Sequence, residues 1–314
     1  MNSKHCPHCH CNTKTVKIGT TCSGRQRFKC KKCHKTWSTK PHPQVLAKTI
    51  WHDFVFHNMN IPELAVKYKI SRSSIRRKMD YYEPPEIIPL GPVDVVAMDV
   101  TYFGRSGGVL SVIDAINGTP LYCHEVGAYE TVEDYENAIH HLHRYSVYPK
   151  AAVIDGKKGV IEMLEEYGLH VQMCQFHQKK IITRCITRRP IIKENIEIKN
   201  LADSLTHRKR KTFEACVYVW RANNWAWLHE KTKLESGKWE YTHKLSRRAI
   251  NSLFKHLPYL FTFEDCPELN IPNTNNKIEG MHSELKRRLA NHRGLKKDQK
   301  IKFIRIFLSG RTEV

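Results

Sequence analysis

Two aspartates of this chain each follow a short apolar run, a context that suits metal-dependent chemistry on phosphate groups. Asp99 ends a strand predicted over residues 93–99, and Asp155 ends one predicted over residues 151–155. A carboxylate in such a place loses part of its hydration. This loss costs free energy unless a cation or hydrogen bonds compensate for it. Mg²⁺ and Mn²⁺ prefer oxygen ligands, and two such ions can activate a nucleophile and stabilise a leaving oxygen. Alternatively, each aspartate only caps the turn after its strand.

A third acid, Glu279, lies where a polar loop enters a basic amphipathic helix. His282 and Lys286 follow three and seven residues later, which places them on the same face of that helix. On this face they could contact a phosphate bound to the metal. The alternative is a face that is only exposed to solvent.

Two Cys-x-x-Cys pairs stand near the N-terminus, Cys6 with Cys9 and Cys30 with Cys33. Their separation of about twenty residues is typical of a zinc ribbon, in which a small β-hairpin module closes four thiolates around Zn²⁺. We predict such a module over residues 1–42, with structural zinc supplying much of its stability. Two disulfides or unrelated thiols are the alternative. One spare side chain could replace a thiolate, and the candidates are Cys11, Cys22, His8, His10 and His34.

Residues 43–83 have a helical pattern that ends in a helix, a tight turn and a second helix. We predict a helix-turn-helix in which Ser71 caps the last helix, since serine is favoured at that position. Four polar residues would face a major groove and its phosphates: Arg72, Ser73, Arg76 and Arg77. A helical hairpin with a solvated basic face is the alternative.

Residues 84–92 contain four prolines and predict an extended linker. After it the pattern gives three successive strands, followed by alternating helix and strand. This order predicts an α/β domain with a mixed sheet over residues 93–314, interrupted by mainly helical sequence at about 178–272. Basic and aromatic residues alternate in that insertion, where they either clamp DNA or divide between solvent and core.

The charge of the chain favours a polyanionic partner. There are 52 Lys and Arg against 31 Asp and Glu, a formal net charge of +21. No apolar run is long enough to span a membrane, and no signal-peptide pattern follows Met1, so nucleic acid is favoured over a lipid surface. The scattered positions of most of the 11 cysteines favour a reducing compartment.

Four segments together resemble the mutator-type (MULE-like) transposases of bacterial insertion sequences, in a variant with an N-terminal zinc-binding module. They are MDVTYF at residues 98–103, IDGKKGV at 154–160, CQFH at 174–177 and TNNKIEGMHSELKRR at 274–288. The resemblance covers nearly the whole chain.

The resemblance implies an RNase H-like catalytic domain in which Asp99, Asp155 and Glu279 form a DDE triad that binds Mg²⁺ or Mn²⁺. It implies transposon ends and target DNA as partners, an oligomer assembled on DNA, and a cytoplasmic bacterial protein associated with the nucleoid. The Cys174–His177 pair would shape the active site, approach DNA or bind metal; a buried cysteine and a surface histidine are the alternative. A DNA-binding regulator without activity, or a nuclease or recombinase of the same fold, are the rival functions.

Overall fold

The computed structural model describes residues 5–11, 15–21, 26–38, 43–104 and 107–311. The chain divides into two compact units, Met1–Pro84 and Pro85–Val314. The first unit contains β1 (Thr15–Thr20), β2 (Gln26–Cys30), β3 (Thr36–Ser38), α1 (Pro43–Phe56), α2 (Ile61–Tyr68) and α3 (Arg72–Asp80).

The three N-terminal strands form one antiparallel sheet in the order β1-β2-β3. The sequence predicted two of these strands and missed β3. Phe28 on β2 lies opposite Trp37 on β3, and their rings stack with centroids 5.9 Å apart. This pair is a small apolar contact for a sheet whose other side chains are mostly half-buried or exposed.

Helix α3 begins directly after Ser71, as predicted, and α2 begins after a second capping residue, Asn60. Asn60 accepts a hydrogen bond from the backbone N–H of Glu63, whose carboxylate accepts one from the backbone of Asn60, so both orphan amides are satisfied. Ser71 accepts the N–H of Ser74 at the start of α3. Leu64 and Ile75 are fully buried, which gives the two helices a shared apolar contact.

The second unit contains seven strands and ten α-helices among the described residues. The strands are β4 (Val95–Tyr102), β5 (Gly108–Asp114), β6 (Pro120–Val126), β7 (Ala151–Ile154), β8 (His170–Met173), β9 (Lys231–Lys233) and β10 (Trp239–Tyr241). The helices are α4 (Val132–Arg144), α5 (Val160–Glu166), α6 (Gln175–Ile186), α7 (Lys193–Ser204), α8 (Arg210–Asn223), α9 (Trp225–His229), α10 (Lys244–His256), α11 (Thr262–Asp265), α12 (Asn276–Ala290) and α13 (Lys297–Ser309), with 3₁₀ turns at Leu257–Tyr259 and Pro267–Leu269.

Five strands form a mixed sheet in the order β6-β5-β4-β7-β8. Strands β4, β5 and β6 are antiparallel neighbours, whereas β4, β7 and β8 are parallel, as the order of elements predicted. Val96 and Met98 of β4 point to the face that α4 and α5 cover, in one core cluster. Because side chains alternate along a strand, Asp99 points to the opposite face, where α12 packs on β4.

The segment between β8 and α12 has its own apolar core, built by α6, α7, α8 and α10. Ile182, Phe213 and Leu253 are fully buried within it. The predicted helical insertion is therefore present, with one exception, since β9 and β10 form a two-stranded hairpin that the sequence did not predict. Among the described residues no helix is both long and apolar enough to cross a membrane.

Residues 85–92 of the predicted linker have neither helix nor strand, and they belong to the second unit. Ile87 is buried, and its carbonyl oxygen lies 3.2 Å from Nε2 of His141 on α4. Tyr145 donates a hydrogen bond to the carboxylate of Glu86 at 3.3 Å. This end of the proline-rich segment is therefore held in place rather than extended freely.

Candidate functional site

Asp99 and Asp155 lie side by side at one edge of the central sheet. Ala97 of β4 pairs with Val153 of the parallel strand β7, and each aspartate lies two residues further along the chain, Asp99 within β4 and Asp155 directly after the end of β7. Neighbouring strands are about 4.8 Å apart, so the two backbones hold the acids close together. Asp99 does not end its strand as predicted, because β4 continues to Tyr102.

The environment of Asp155 disfavours its charged form. Burial raises the pKa of this carboxyl, and the negative charge of Asp99 raises it further. His177 and Lys157 act in the opposite direction but do not cancel the effect. The backbone N–H of Lys157 also donates to Asp155 Oδ1 at 3.2 Å, so Asp155 caps its turn as well. Two neighbouring acids with too little compensating charge favour the binding of a cation.

His282 connects α12 to the strand that carries Asp99. Its Nδ1 lies 3.2 Å from Asp99 Oδ2, and its Nε2 lies 3.1 Å from the hydroxyl oxygen of Ser111. Ser111 is the residue of β5 directly opposite Asp99. His282 is 5% exposed, so it orients Asp99 from within the protein, whereas the sequence predicted that it contacts a phosphate.

Glu279 lies in the first turn of α12 and is engaged by two basic side chains of α6. Lys180 donates to Glu279 Oε1 at 3.1 Å, and His177 Nε2 lies 3.4 Å from the same oxygen. Within the described residues, the ligand atoms of Asp99, Asp155 and Glu279 do not all lie within 4.8 Å of one another. The two aspartates are thus neighbours, whereas Glu279 of α12 is bonded to side chains of α6. Lys286 is exposed further along α12.

Cys174 and His177 have different surroundings. Cys174 is fully buried, its thiol accepts the backbone N–H of Asn275 at 3.2 Å, and burial raises its pKa. Next to it, the N–H of Gln175 donates to the carbonyl of Asn273 at 2.9 Å. Cys174 therefore fixes the start of α12 against the start of α6, while His177 one turn later reaches Glu279.

Glu130 is a further acid beside this site that the sequence did not reveal. Tyr135 donates to its carboxylate at 2.9 Å, and Lys157 Nζ lies 3.5 Å from it. Burial raises the pKa of Glu130, and the charge of Asp155 adds to that shift. Glu130 precedes α4 in a loop without an apolar run before it, so no sequence pattern marked it. Lys157 links the two acids, through its backbone to Asp155 and through its ammonium group to Glu130.

The four predicted zinc ligands converge in the first unit. The sulfurs of Cys6, Cys9, Cys30 and Cys33 all lie within 4.8 Å of one another. The Cys6–Cys33 and Cys9–Cys30 distances are both 3.6 Å, close to the sulfur separation of about 3.8 Å that tetrahedral Zn–S bonds of about 2.3 Å require. The cluster could hold a structural zinc ion.

Cys11 is the spare side chain nearest to this cluster. Its sulfur lies 3.2 Å from that of Cys30 and 3.6 Å from that of Cys9. The other spare candidates within the described residues, His8, His10 and His34, do not join a group of ligand atoms, and Cys22 lies outside the described residues. Cys11 is therefore the one described thiol positioned to compete with Cys9 or Cys30.

A second group with metal-ligand chemistry, His52, Asp53 and His57, is held by other bonds. Asp53 accepts hydrogen bonds from Tyr68 at 2.7 Å and from Lys67. Burial alone would raise the pKa of Asp53, but the bonds from Lys67, Tyr68 and His57 lower it to about 2. The carboxylate already has a cationic partner, so it ties α1 to α2.

The predicted DNA-contacting residues share the exposed side of α3. Arg72, Ser73, Arg76 and Arg77 are all exposed, while Ile75 and Met79 of the same helix are buried. The helix therefore presents three guanidinium groups to solvent over two turns. This arrangement suits a phosphate-lined groove and is equally a solvated basic face.

Known proteins provide no independent assignment. No protein-family model matches the chain, and no curated protein matches it significantly. The function is therefore inferred from the residues of the chain and their arrangement.

Proposed function

We propose that this chain is a mutator-type DNA transposase with an RNase H-like core, which cuts and joins DNA strands by means of Asp99, Asp155 and Glu279. The observation that carries the proposal is the adjacency of Asp99, on β4, and Asp155, directly after β7, with Asp155 disfavoured in its charged form. Two acids held together at a sheet edge, one of them disfavoured in its charged form despite the nearby His177 and Lys157, are poorly suited to stabilising the fold alone. They suit a divalent cation.

The donor set fits Mg²⁺ or Mn²⁺, because carboxylate oxygens are the ligands that these hard cations prefer. Asp99 and Asp155 would hold the metal, and Glu279 would join them after exchanging its bond to Lys180. When bound, such ions activate a water or a DNA 3′-hydroxyl for attack on a phosphodiester and stabilise the leaving oxygen.

The neighbouring side chains prepare the site. His282 holds one oxygen of Asp99. His177 and Lys180 hold the carboxylate of Glu279 in place. When this carboxylate exchanges Lys180 for the metal, the ammonium group of Lys180 is free to contact a phosphate oxygen. Lys157 keeps Asp155 and Glu130 in a common network.

The first unit would bind the DNA. The exposed arginines of α3 are placed to contact a groove, and the zinc module gives a further basic surface. The expected partners are duplex element ends and target DNA, bound by an oligomer in the bacterial nucleoid.

The test is cleavage and joining of duplexes that carry the DNA flanking the gene, with purified full-length chain in Mg²⁺. Asp99→Asn and Asp155→Asn should abolish both reactions and leave duplex binding nearly unchanged. Asp114→Asn is a matched control, because Asp114 ends β5 but its carboxylate accepts the backbone N–H groups of Ile116 at 2.7 Å and Asn117 at 3.2 Å. It should stay active.

Persistent cleavage by Asp99→Asn would refute the assignment of the acids. If the unaltered chain binds these ends but never cuts them, it acts as a DNA-binding regulator. The ion pair between Glu279 and Lys180 is the observation that favours this second function.

A further inference from the structure

The hairpin of β9 and β10 exposes a large aromatic side chain to solvent. Every residue from Glu230 to Trp239 is exposed, and Trp239 is 64% exposed. Within the described part of the chain no other ring stacks on Trp239. The exposed indole therefore offers a ring face on which a planar ligand can stack.

The pairing of the two strands puts all of the aromatic and cationic side chains on one face. Trp239 lies opposite Lys233, and Tyr241 lies opposite Lys231. Directly opposed residues of an antiparallel pair share a face, so these four side chains form one surface, which we call the Trp239 face. Glu240 is paired with Thr232 on the other face, where it forms an ion pair with Lys244.

The base of the hairpin is rigid. Arg247 lies over the ring of Tyr241 with its guanidinium carbon 3.7 Å from the centroid, and it donates to the carbonyl of Leu228 at 2.8 Å. Trp227 stacks on His243 with centroids 3.9 Å apart. The turn depends on Gly237, whose φ of +79° is in the left-handed region that favours glycine. The Trp239 face is thus presented by an anchored support.

We propose that the Trp239 face binds unpaired nucleotides of a DNA strand, with a base stacked on Trp239 and phosphates contacted by Lys231 and Lys233. The charge and the chemistry agree with this occupant: the face has cations and aromatic rings, and its acid is turned away. A base inside a duplex cannot offer its surface to a side chain, whereas an unpaired base can. The identity of the strand as DNA rests on the proposed function.

The test measures the binding of a fluorescent single-stranded DNA oligonucleotide to full-length chain in EDTA, so that no cleavage is needed. Trp239→Ala should weaken this binding about 5- to 150-fold, the range expected for the loss of one base stack, and leave binding of the matched duplex unchanged. Trp239→Phe should restore most of the affinity. Lys233→Gln should reduce the salt dependence of single-strand binding.

Trp225→Ala is the matched control. Trp225 is also exposed, at 52%, but its ring is stacked on His229 with centroids 3.8 Å apart. This variant should bind the single strand as the unaltered chain does. The thermal midpoint of Trp239→Ala should stay unchanged, because the indole contributes little buried area.

Equal binding of the single strand by Trp239→Ala and the unaltered chain would overturn the inference, as would an equal loss for single strand and duplex. A selective loss in a chain that never cuts DNA would leave the Trp239 face assigned and refute the transposase. Cleavage by the unaltered chain, without a selective loss of single-strand binding in Trp239→Ala, would support the transposase and refute the assignment of the Trp239 face.

Discussion

Nδ1 of His282 lies 3.2 Å from Oδ2 of Asp99, although the two residues are 183 positions apart in the sequence. The contact joins α12 to β4, the central strand of the five-stranded sheet. Since Nε2 of the same ring reaches Ser111, the imidazole spans the two neighbouring strands β4 and β5. Asp99 is therefore oriented by a side chain that depends on the complete fold.

Replacing His282 should affect both stability and activity. His282→Ala leaves the buried Ser111 hydroxyl without this partner, so we expect the free energy of unfolding to fall by about 1–3 kcal/mol. Cleavage should fall as well, since Asp99 loses its orientation. Urea denaturation and the cleavage rate check this. Arg287→Ala, an exposed position of the same helix, is the stability control and should stay within about 0.5 kcal/mol. Equal stability of both variants would show that His282 does not tie α12 to β4.

Asp155 should make the stability of the metal-free chain fall as the pH rises. Its pKa is raised in the folded state above the ordinary value of 3.8, so the folded chain holds the proton to a higher pH than the unfolded chain does. Stability from this group is complete below the unfolded pKa and is lost as the pH passes the folded pKa. Each unit of pKa shift corresponds to about 1.4 kcal/mol.

Asp155→Asn imitates the protonated carboxyl and should remove that loss. In EDTA the variant should be more stable than the unaltered chain at pH 8 and equal to it near pH 3, as followed by urea denaturation across the range. Added Mg²⁺ should stabilise the unaltered chain and not the variant. A variant that is less stable at pH 8 would mean that the fold does not penalise the charge of Asp155.

Glu130 should support the site without being essential to it. Its carboxylate holds Lys157, whose backbone N–H in turn binds Asp155. Glu130→Gln weakens the ion pair but can still accept the hydrogen bond of Tyr135, so we expect a partial loss of cleavage and unchanged duplex binding. Lys157→Met should show a similar loss, and the double variant should lose little more, because both changes break one network. Fully additive losses would show that the two residues act separately.

The sequence predicted the parts of this site that local patterns encode. The apolar runs before Asp99 and Asp155 predicted strands β4 and β7. The pattern of residues 156–167 predicts a helix over that whole range, but α5 begins only at Val160. Gly156 and Gly159 have φ values of +85° and +83°, a conformation that ends helical geometry.

Three other features gave no local signal, and two of them depend on distant residues. The bond from Lys180 to Glu279 joins residues 99 positions apart. Glu130 lies in a loop and is defined by Lys157. No residue of β9 or β10 is buried, so these strands have no alternation of apolar and polar residues to predict them.

The zinc site should distinguish Cys11 from Cys9. Both sulfurs lie near that of Cys30, but Cys9 belongs to the group of four and Cys11 does not. We expect Cys9→Ser to lose bound zinc and Cys11→Ser to retain one ion per chain, as measured by metal analysis of the purified proteins. If the two variants retain zinc equally, Cys11 replaces the missing thiolate.

The arginines of α3 should contribute to DNA binding through phosphate charge. If Arg76 contacts a phosphate, its replacement by Gln should weaken duplex binding for every sequence alike and reduce the slope of log K against log salt concentration by about 1. If it contacts a base edge, the loss should depend on one position of the site. Lys255→Gln, an exposed change in the second unit, is the charge-matched control and should leave the slope unchanged. A slope that does not respond to Arg76→Gln, together with unchanged affinity, would identify the exposed side of α3 as a solvated face.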